Sequence, residues 1–415
     1  MIIMPYMNKP LCTINTGRTV EDSVPYLKDY PAVYILSDRN VEAYADRVAE
    51  ALEPCGNLRG RFSIDANENA KNIDTVLEIC RWLLNLEADR KALIFAIGGG
   101  ITTDMAGFAA SIYKRGIRFA YLPTTFLAQV DAAIGGKTGV NFLNYKNMLG
   151  VIRQPEFTFE CPEVLSTLPY RDFISGAAEL VKTFIIDNEG NNYSKAISVL
   201  SAIAGANDHK AAILEHLPEL QELISAAASV KAGVVERDQF ESGERRKLNL
   251  GHTFAHAIEW MAREKGDDIS HGEAVSMGMI MAAGLSEKFY GNAAGGVLPQ
   301  CGDDIAAASS AQESSALESS ALESAAPGTA APHLAATLRR DFAACRLPVE
   351  CPYSISELVP AMKYDKKAEG EGVNFVLIHA VGDVRIEKLP VFLYLCKFRD
   401  QSEKHSVPGP GKTTE

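Results

Sequence analysis

The stretch LNLGHTFAHAIE, residues 248–259, sets His252 and His256 four residues apart within a pattern of helical spacing. Four residues is slightly more than one turn, so both imidazoles project from one face. Such a pair serves as metal ligands or as packed side chains, and it lacks the glutamate that an HExxH zinc site uses as its base. A third imidazole, His271 in SHGEAVSMGM, opens another helical stretch, in a chain with only eight histidines. Upstream, SGAAELVKTF places Glu179 and Lys182 at i and i+3. An exposed ion pair at that spacing contributes little. Ala177, Ala178, Leu180, Val181 and Phe184 leave only a narrow polar face, which points to a partly buried glutamate in need of a cation or a metal. A carboxylate joined to imidazoles with one position open is the donor set of a catalytic zinc.

Other segments carry groups suited to anions. AIGGGITTD puts Gly98, Gly99 and Gly100 between an apolar strand and a helix, where bare backbone can approach a pyrophosphate. The spacing is not GxGxxG, and a structural turn explains it equally well. LPTTFLAQVD follows another strand; Thr124 and Thr125 suit phosphate or ribose, or a helix cap, and Asp131 closes the segment. GGKTGVNFLNYKNMLG (135–150) holds Lys137, Asn141, Lys146 and Asn147 in a glycine-rich stretch with little helix or strand character. Two lysines and two asparagines suit a polyhydroxy anion. Lys231, Glu241, Arg245 and Asn249 form a charged segment that leads directly into the histidine helix.

The elements that must position these groups fall into two kinds. Apolar strand runs at 32–38, 91–100 and 117–125 alternate with helical spacing at 41–52, 73–86 and 105–116, which predicts a parallel α/β sheet, Rossmann-like in plan. From about 160 onward the long segments all read as helices, with no convincing strand between them. The expected organisation is an N-terminal nucleotide-binding α/β domain over 1–159 and an all-α metal- and substrate-binding domain over 160–398, with the active site in the cleft between. Residues 292–332 hold a near-repeat of Ser, Ala, Leu and Glu that cannot bury enough apolar surface to offset its ordering entropy, and read as a disordered or loosely helical insertion; 399–415 reads as a disordered tail.

Composition bounds the rest. The chain has 415 residues, 47% hydrophobic and 23% charged, which fits an ordinary globular protein of two or three domains. A formal charge of −12 argues against a nucleic-acid binder but not against an anionic small substrate held by local cations. The eight scattered cysteines form no CxxC and suggest free thiols in a reducing compartment. MIIMPYMNKP is too short in apolar residues for a signal peptide, and no run is long enough to span a bilayer, so a cytoplasmic protein is expected.

With these residues collected, the chain resembles the 3-dehydroquinate synthase family, within the wider sugar-phosphate cyclases. The resemblance rests on RGIRFAYLPTTFLAQVDAAIGGKTGVN, KNMLG, LPYRDFISGAAELVK and LNLGHTFAHAIE followed by HGEAVSMGM, in one order along the chain. It implies a nucleotide-binding α/β domain and a helical domain. It also implies zinc, or another divalent metal such as cobalt, on Glu179, His252 and His271, with His256 beside the metal and serving the substrate. NAD would lie across Asp38, Glu68, Lys71, Gly98–Gly100, Asp104, Thr124, Thr125, Asp131, Lys137, Lys146 and Thr167. The substrate set would be Lys137, Asn147, Lys182, Lys231, Glu241, Arg245, Asn249 and a lysine of DKK, Lys366 or Lys367.

The implied reaction converts 3-deoxy-D-arabino-heptulosonate 7-phosphate to 3-dehydroquinate and phosphate. Hydride leaves for NAD, phosphate is eliminated, hydride returns, and an intramolecular aldol step closes the ring. Family members are often homodimers. The alternatives are a valiolone- or deoxy-inosose-forming cyclase, a metal-dependent polyol dehydrogenase, or a non-catalytic nucleotide-binding regulator. The lysine and arginine set argues against a neutral alcohol as substrate. Departures from the family pattern are Asn67 in NENAK, Thr103 in GGGITTD, GVIRQP at 150–155 and Ala255 in HTFAH; none removes a charged or metal-binding group.

Overall fold

The computed structural model describes residues 10–143, 145–189, 192–293, 333–365 and 372–390. Lys366, Lys367, nearly all of the 292–332 segment and the 399–415 tail lie outside these residues. The strands are Ile14–Thr16 (β1), Val33–Asp38 (β2), Leu58–Ile64 (β3), Leu93–Gly98 (β4), Arg118–Pro123 (β5), Lys137–Phe142 (β6), Tyr145–Ile152 (β7), Thr158–Glu160 (β8), Gly372–Ala380 (β9) and Asp383–Pro390 (β10). The first helices are Glu42–Leu52 (α1), Ile73–Asn85 (α2) and Gly100–Ile112 (α3). Those that follow the sheet are Tyr170–Ile186 (α4), Asn192–Gly205 (α5), His209–Glu215 (α6), Leu217–Arg237 (α7), His252–Lys265 (α8), His271–Ala293 (α9), Leu334–Ala344 (α10) and Ile355–Asp365 (α11).

Six strands form one parallel sheet in the order β1-β8-β5-β4-β2-β3. The unbroken apolar runs of β2, β4 and β5 are what a sheet covered on both faces requires. Side chains alternate between two cores. Tyr34, Leu36, Ile94, Ala96, Phe119 and Tyr121 pack under α2 and α3 with Val76, Ile79, Met105 and Ala109. Ile35, Phe95, Ile97 and Leu122 face α1 and the helical half, in a core continuous through Leu180, Ile224, Phe254 and Met279. The chain runs from β2 to β3 on one side and then returns to β4 on the other. That reversal opens a crevice at the carboxyl ends of β2 and β4, the usual ligand position in an open α/β sheet.

Two regions differ from the sequence reading. The glycine-rich stretch read as a loop folds as an antiparallel hairpin, β6–β7, with Gly139 opposite Gly150 and Val140 opposite Leu149. The two glycines let the strands approach at a point where any Cβ would strike the partner backbone. The helical half also carries one antiparallel hairpin, β9–β10, with Ile378 opposite Val384, packed against α9.

Candidate active site

Glu179, on α4, is fully buried, and α8 and α9 bring His252 and His271 to it. One donor atom from each of the three lies within 4.8 Å of the others. His252 Nε2 is 3.6 Å and His271 Nε2 3.3 Å from Glu179 Oε1, while the Lys182 ammonium lies against Oε2. Neither oxygen of Glu179 accepts a hydrogen bond of normal geometry. Burial alone would raise this carboxyl, but Lys182 and the two imidazoles outweigh it and hold it well below the carboxylate range. Burial, with Lys182 beside it, pushes His252 down to about 3, so its ring is neutral. His252 Nδ1 faces the Leu250 carbonyl at 3.1 Å, which fixes the proton there and leaves the Nε2 lone pair toward Glu179. An under-bonded carboxylate facing two imidazole nitrogens fits a divalent metal.

Local sequence explains why these helices meet. Ser270 and Glu273 form a reciprocal cap at the start of α9: Ser270 N donates to Glu273 Oε2 at 2.7 Å, and Glu273 N to Ser270 Oγ at 3.4 Å. Glu273 also receives Arg171 of α4 at 2.9 Å. Between them Gly272 N donates to Ser175 Oγ at 3.0 Å, and a Cβ on Gly272 would overlap the Ser175 backbone. The HGE motif thus supplies a candidate ligand, a close approach and a cap in successive residues.

Behind the histidine site lies a lysine–aspartate cluster. Asp131 sits in a single π-helical turn, Ala128–Ala132. Lys231 Nζ donates to its carbonyl and to Oδ1, each at 2.7 Å, and Lys182 Nζ is 3.6 Å from Oδ1. Lys182 and Lys231 are buried and Asp131 reaches the cleft; the two ammonium groups are balanced by the carboxylates of Asp131 and Glu179. A third cluster joins β6 to the segment before α8. Lys137 pairs with Glu241, which accepts from Asn249 Nδ2 at 2.6 Å. Arg245, 2% exposed, donates to the Gly135 carbonyl at 3.0 Å and the Gln239 carbonyl at 2.5 Å. The Gly135–Gly136 turn needs left-handed backbone, with φ of +99° and +71°. Glu241 and Asn147 also adopt left-handed backbone, with φ of +59° and +52°.

A cleft of about 1410 Å³ runs from the sheet crevice to the histidines. Its sheet end is lined by Asp38, Glu68, Lys71, Gly99, Gly100, Asp104, Thr124, Thr125, Asp131 and Thr167, and its other end by Lys146, Asn147, His256 and His271. Gly99 is the N-cap of α3, so the helix dipole and free N–H groups face this space. Lys71 Nζ donates to Asp104 Oδ2 and Asn147 Oδ1, both at 2.6 Å, and Asn141 Nδ2 donates to Glu68 Oε1 at 2.8 Å. Gly98, Lys137, Glu179, Lys182, Lys231, Glu241, Arg245, Asn249 and His252 do not line the cleft, although Glu179 and His252 adjoin His271, which does, and Lys182 and Lys231 lie directly behind Asp131.

The departures are accommodated. Asn67 Oδ1 accepts from Asn69 N and Ala70 N, each at 3.0 Å, closing the turn with its own side chain. Buried Thr103 donates to the Gly100 carbonyl at 3.0 Å. Glu259 was not singled out in the sequence, yet its carboxylate lies 3.5 Å from His271 Nδ1 and 3.2 Å from Lys146 Nζ. The signal was present, since His252, His256 and Glu259 stand at i, i+4 and i+7 on one helix face.

A parallel sheet with its crevice open toward a three-helix carboxylate–imidazole centre and buried lysines defines an enzyme of the α/β-plus-helical type. The residues match the 3-dehydroquinate synthase N-terminal model over 61–175 and the 3-dehydroquinate synthase C-terminal model over 176–297. The chain belongs to the 3-dehydroquinate synthase family. It is 36% identical to the 3-dehydroquinate synthase of Pyrococcus abyssi over 372 residues, 90% of this chain and 93% of that one. Its fold resembles 2-epi-5-epi-valiolone synthase of Streptomyces hygroscopicus subsp. jinggangensis, solved with NAD+ and Zn2+ bound (TM-score 0.73, 22% identity, 97% and 99% of the two chains). It also resembles a 2-deoxy-scyllo-inosose synthase complexed with carbaglucose-6-phosphate, NAD+ and Co2+ (TM-score 0.72, 22% identity, 94% and 99%).

Proposed function

We propose that this protein is a 3-dehydroquinate synthase, converting 3-deoxy-D-arabino-heptulosonate 7-phosphate to 3-dehydroquinate and phosphate in the shikimate route to aromatic amino acids. The observation that carries the reading is the convergence of Glu179, His252 and His271 on one point, with His271 lining the cleft. When bound, NAD supplies a hydride acceptor that is restored each turnover, and a divalent zinc or cobalt ion supplies Lewis acidity at the substrate hydroxyls.

The chain's own residues do the rest. Residues 1–159 hold the nucleotide, with Asp38 at the ribose, the α3 N-terminus at the pyrophosphate and Thr124 and Thr125 beside it. Residues 160–398 hold the metal and substrate. Lys182 and Lys231, paired with Glu179 and Asp131, form a fixed array of charges behind the cleft that orients the substrate without solvent reorganisation. Lys137 and Arg245 add an anion site, and Glu241 holds Lys137 until substrate takes its place. His256 and Asn249 orient the leaving phosphate. The neutral His252 ring keeps a lone pair rather than a proton at the metal position. A homodimer in the cytoplasm is the expected setting; among the described residues no helix is long and apolar enough to cross a membrane.

The test is to incubate the protein with NAD, zinc and the heptulosonate phosphate, measuring phosphate and NADH together. Stoichiometric phosphate with no net NADH is expected. Net NADH from glycerol or another alcohol, without phosphate release, would identify a polyol dehydrogenase instead.

A further inference from the structure

We infer that Glu259 is a positioning residue, which fixes the aim of the His271 ring and ties it to the β6–β7 hairpin through Lys146. This rests on the reading of Glu179, His252 and His271 as the metal-holding set.

The two imidazoles are oriented by different means. His252 is held from its own chain, by the Leu250 carbonyl at Nδ1. His271 is held between two carboxylates; its Nδ1 faces Glu259 Oε1 at 3.5 Å while its Nε2 faces Glu179 Oε1 at 3.3 Å. A carboxylate at Nδ1 keeps the ring proton on that side and turns the Nε2 lone pair toward the metal position. The Glu259 side chain is only 14% exposed, so its charge acts with little solvent screening.

The same oxygen of Glu259 meets Lys146 Nζ at 3.2 Å, and Lys146 is on β7. The next residue, Asn147, accepts from Lys71 Nζ, which also donates to Asp104 on α3. A continuous polar chain therefore runs from the nucleotide side of the cleft, through the hairpin, to a metal ligand. Both Lys146 and Glu259 line that cleft. Movement of the hairpin on the nucleotide side would change how firmly Glu259 holds His271.

Zinc affinity, read by competition with a chromophoric chelator, tests this on the full-length protein. Wild type should bind one zinc per chain. Glu259→Ala should weaken binding about 10- to 100-fold, the usual effect of losing an outer partner of a ligating histidine. Glu259→Gln, nearly isosteric and still able to accept a hydrogen bond, should fall between the two. The cobalt-loaded Glu259→Gln protein should show shifted visible bands, while its metal-free melting temperature matches wild type. Lys146→Ala should change affinity several-fold alone and add nothing to Glu259→Ala, because the two act through one carboxylate. Wild-type affinity in both Glu259 variants would overturn the positioning role, and additive effects of Lys146 and Glu259 would overturn the tie to the hairpin. Wild type that takes up no zinc at all would instead refute the metal reading on which the inference rests.

Discussion

At the scale of single residues, the site depends on charges that water does not reach. Glu179 is fully buried, balances Lys182 and faces two imidazoles, so each partner is costly to remove. His252→Ala deletes a ring whose lone pair is already aimed by the Leu250 carbonyl. Zinc content should fall well below one per chain and turnover by orders of magnitude, checked by elemental analysis beside the phosphate assay; full zinc with full rate would contradict the assignment. Gly272→Ala tests position rather than chemistry. The new Cβ meets the Ser175 backbone, which cannot swing aside as a side chain would. Overpacking of this kind costs about 1–3 kcal/mol. The urea midpoint should drop with little change in slope.

At the scale of elements, β8 and α7 meet through a buried glutamate. Glu160 Oε2 accepts from Ser225 Oγ at 3.3 Å, and Oε1 has no partner among the described residues. Burial pushes this carboxyl up to about 8, against the small opposing effect of Ser225. The folded chain therefore keeps a proton that the unfolded chain releases near the ordinary carboxylate range. Stability is greatest below that range and declines as pH rises toward about 8, then levels off. Glu160→Gln lacks this linkage. Its urea midpoint should match wild type near pH 5 and exceed it near pH 8 by the equivalent of a few kcal/mol, following the shift. Equal pH profiles for the two proteins would refute the buried proton.

The same scale shows what could be read in advance. β2, β4, β5 and their helices were legible because unbroken apolar runs and 3.6-residue spacing are strong signals. The Glu–His–His centre was legible only through motif resemblance, since spacing alone made His256 as good a ligand as His271. The β6–β7 hairpin was not legible, because Gly139 and Gly150 look like loop residues until they are seen to oppose each other. Edge strand β3 escaped notice for a similar reason: LRGRFSI carries two arginines and a glycine, so its apolar alternation is weak. Glu259 reads as an ordinary surface helix residue until α9 places His271 against it.

At the scale of the molecule, all three candidate ligands come from the helical half, on α4, α8 and α9. The sheet half contributes none of them, and its Asp131 and Lys146 form ion pairs beside the centre with Lys182, Lys231 and Glu259. Metal should therefore stabilise one half of the molecule far more than the other. At a free zinc concentration about a hundred times the dissociation constant, binding adds about 2.7 kcal/mol to the stability of whatever unit must unfold to release it. Hydrogen exchange compares the two halves directly. Zinc should slow exchange in α4, α8 and α9 and leave α2 and α3, in the other core, nearly unchanged. Chelation should reverse the protection and abolish phosphate release together, and added zinc should restore both. Uniform protection of α2 and α3 along with α8 and α9 would mean that the two cores open as one unit. Identical exchange in stripped and zinc-loaded protein would mean that the three side chains hold no metal.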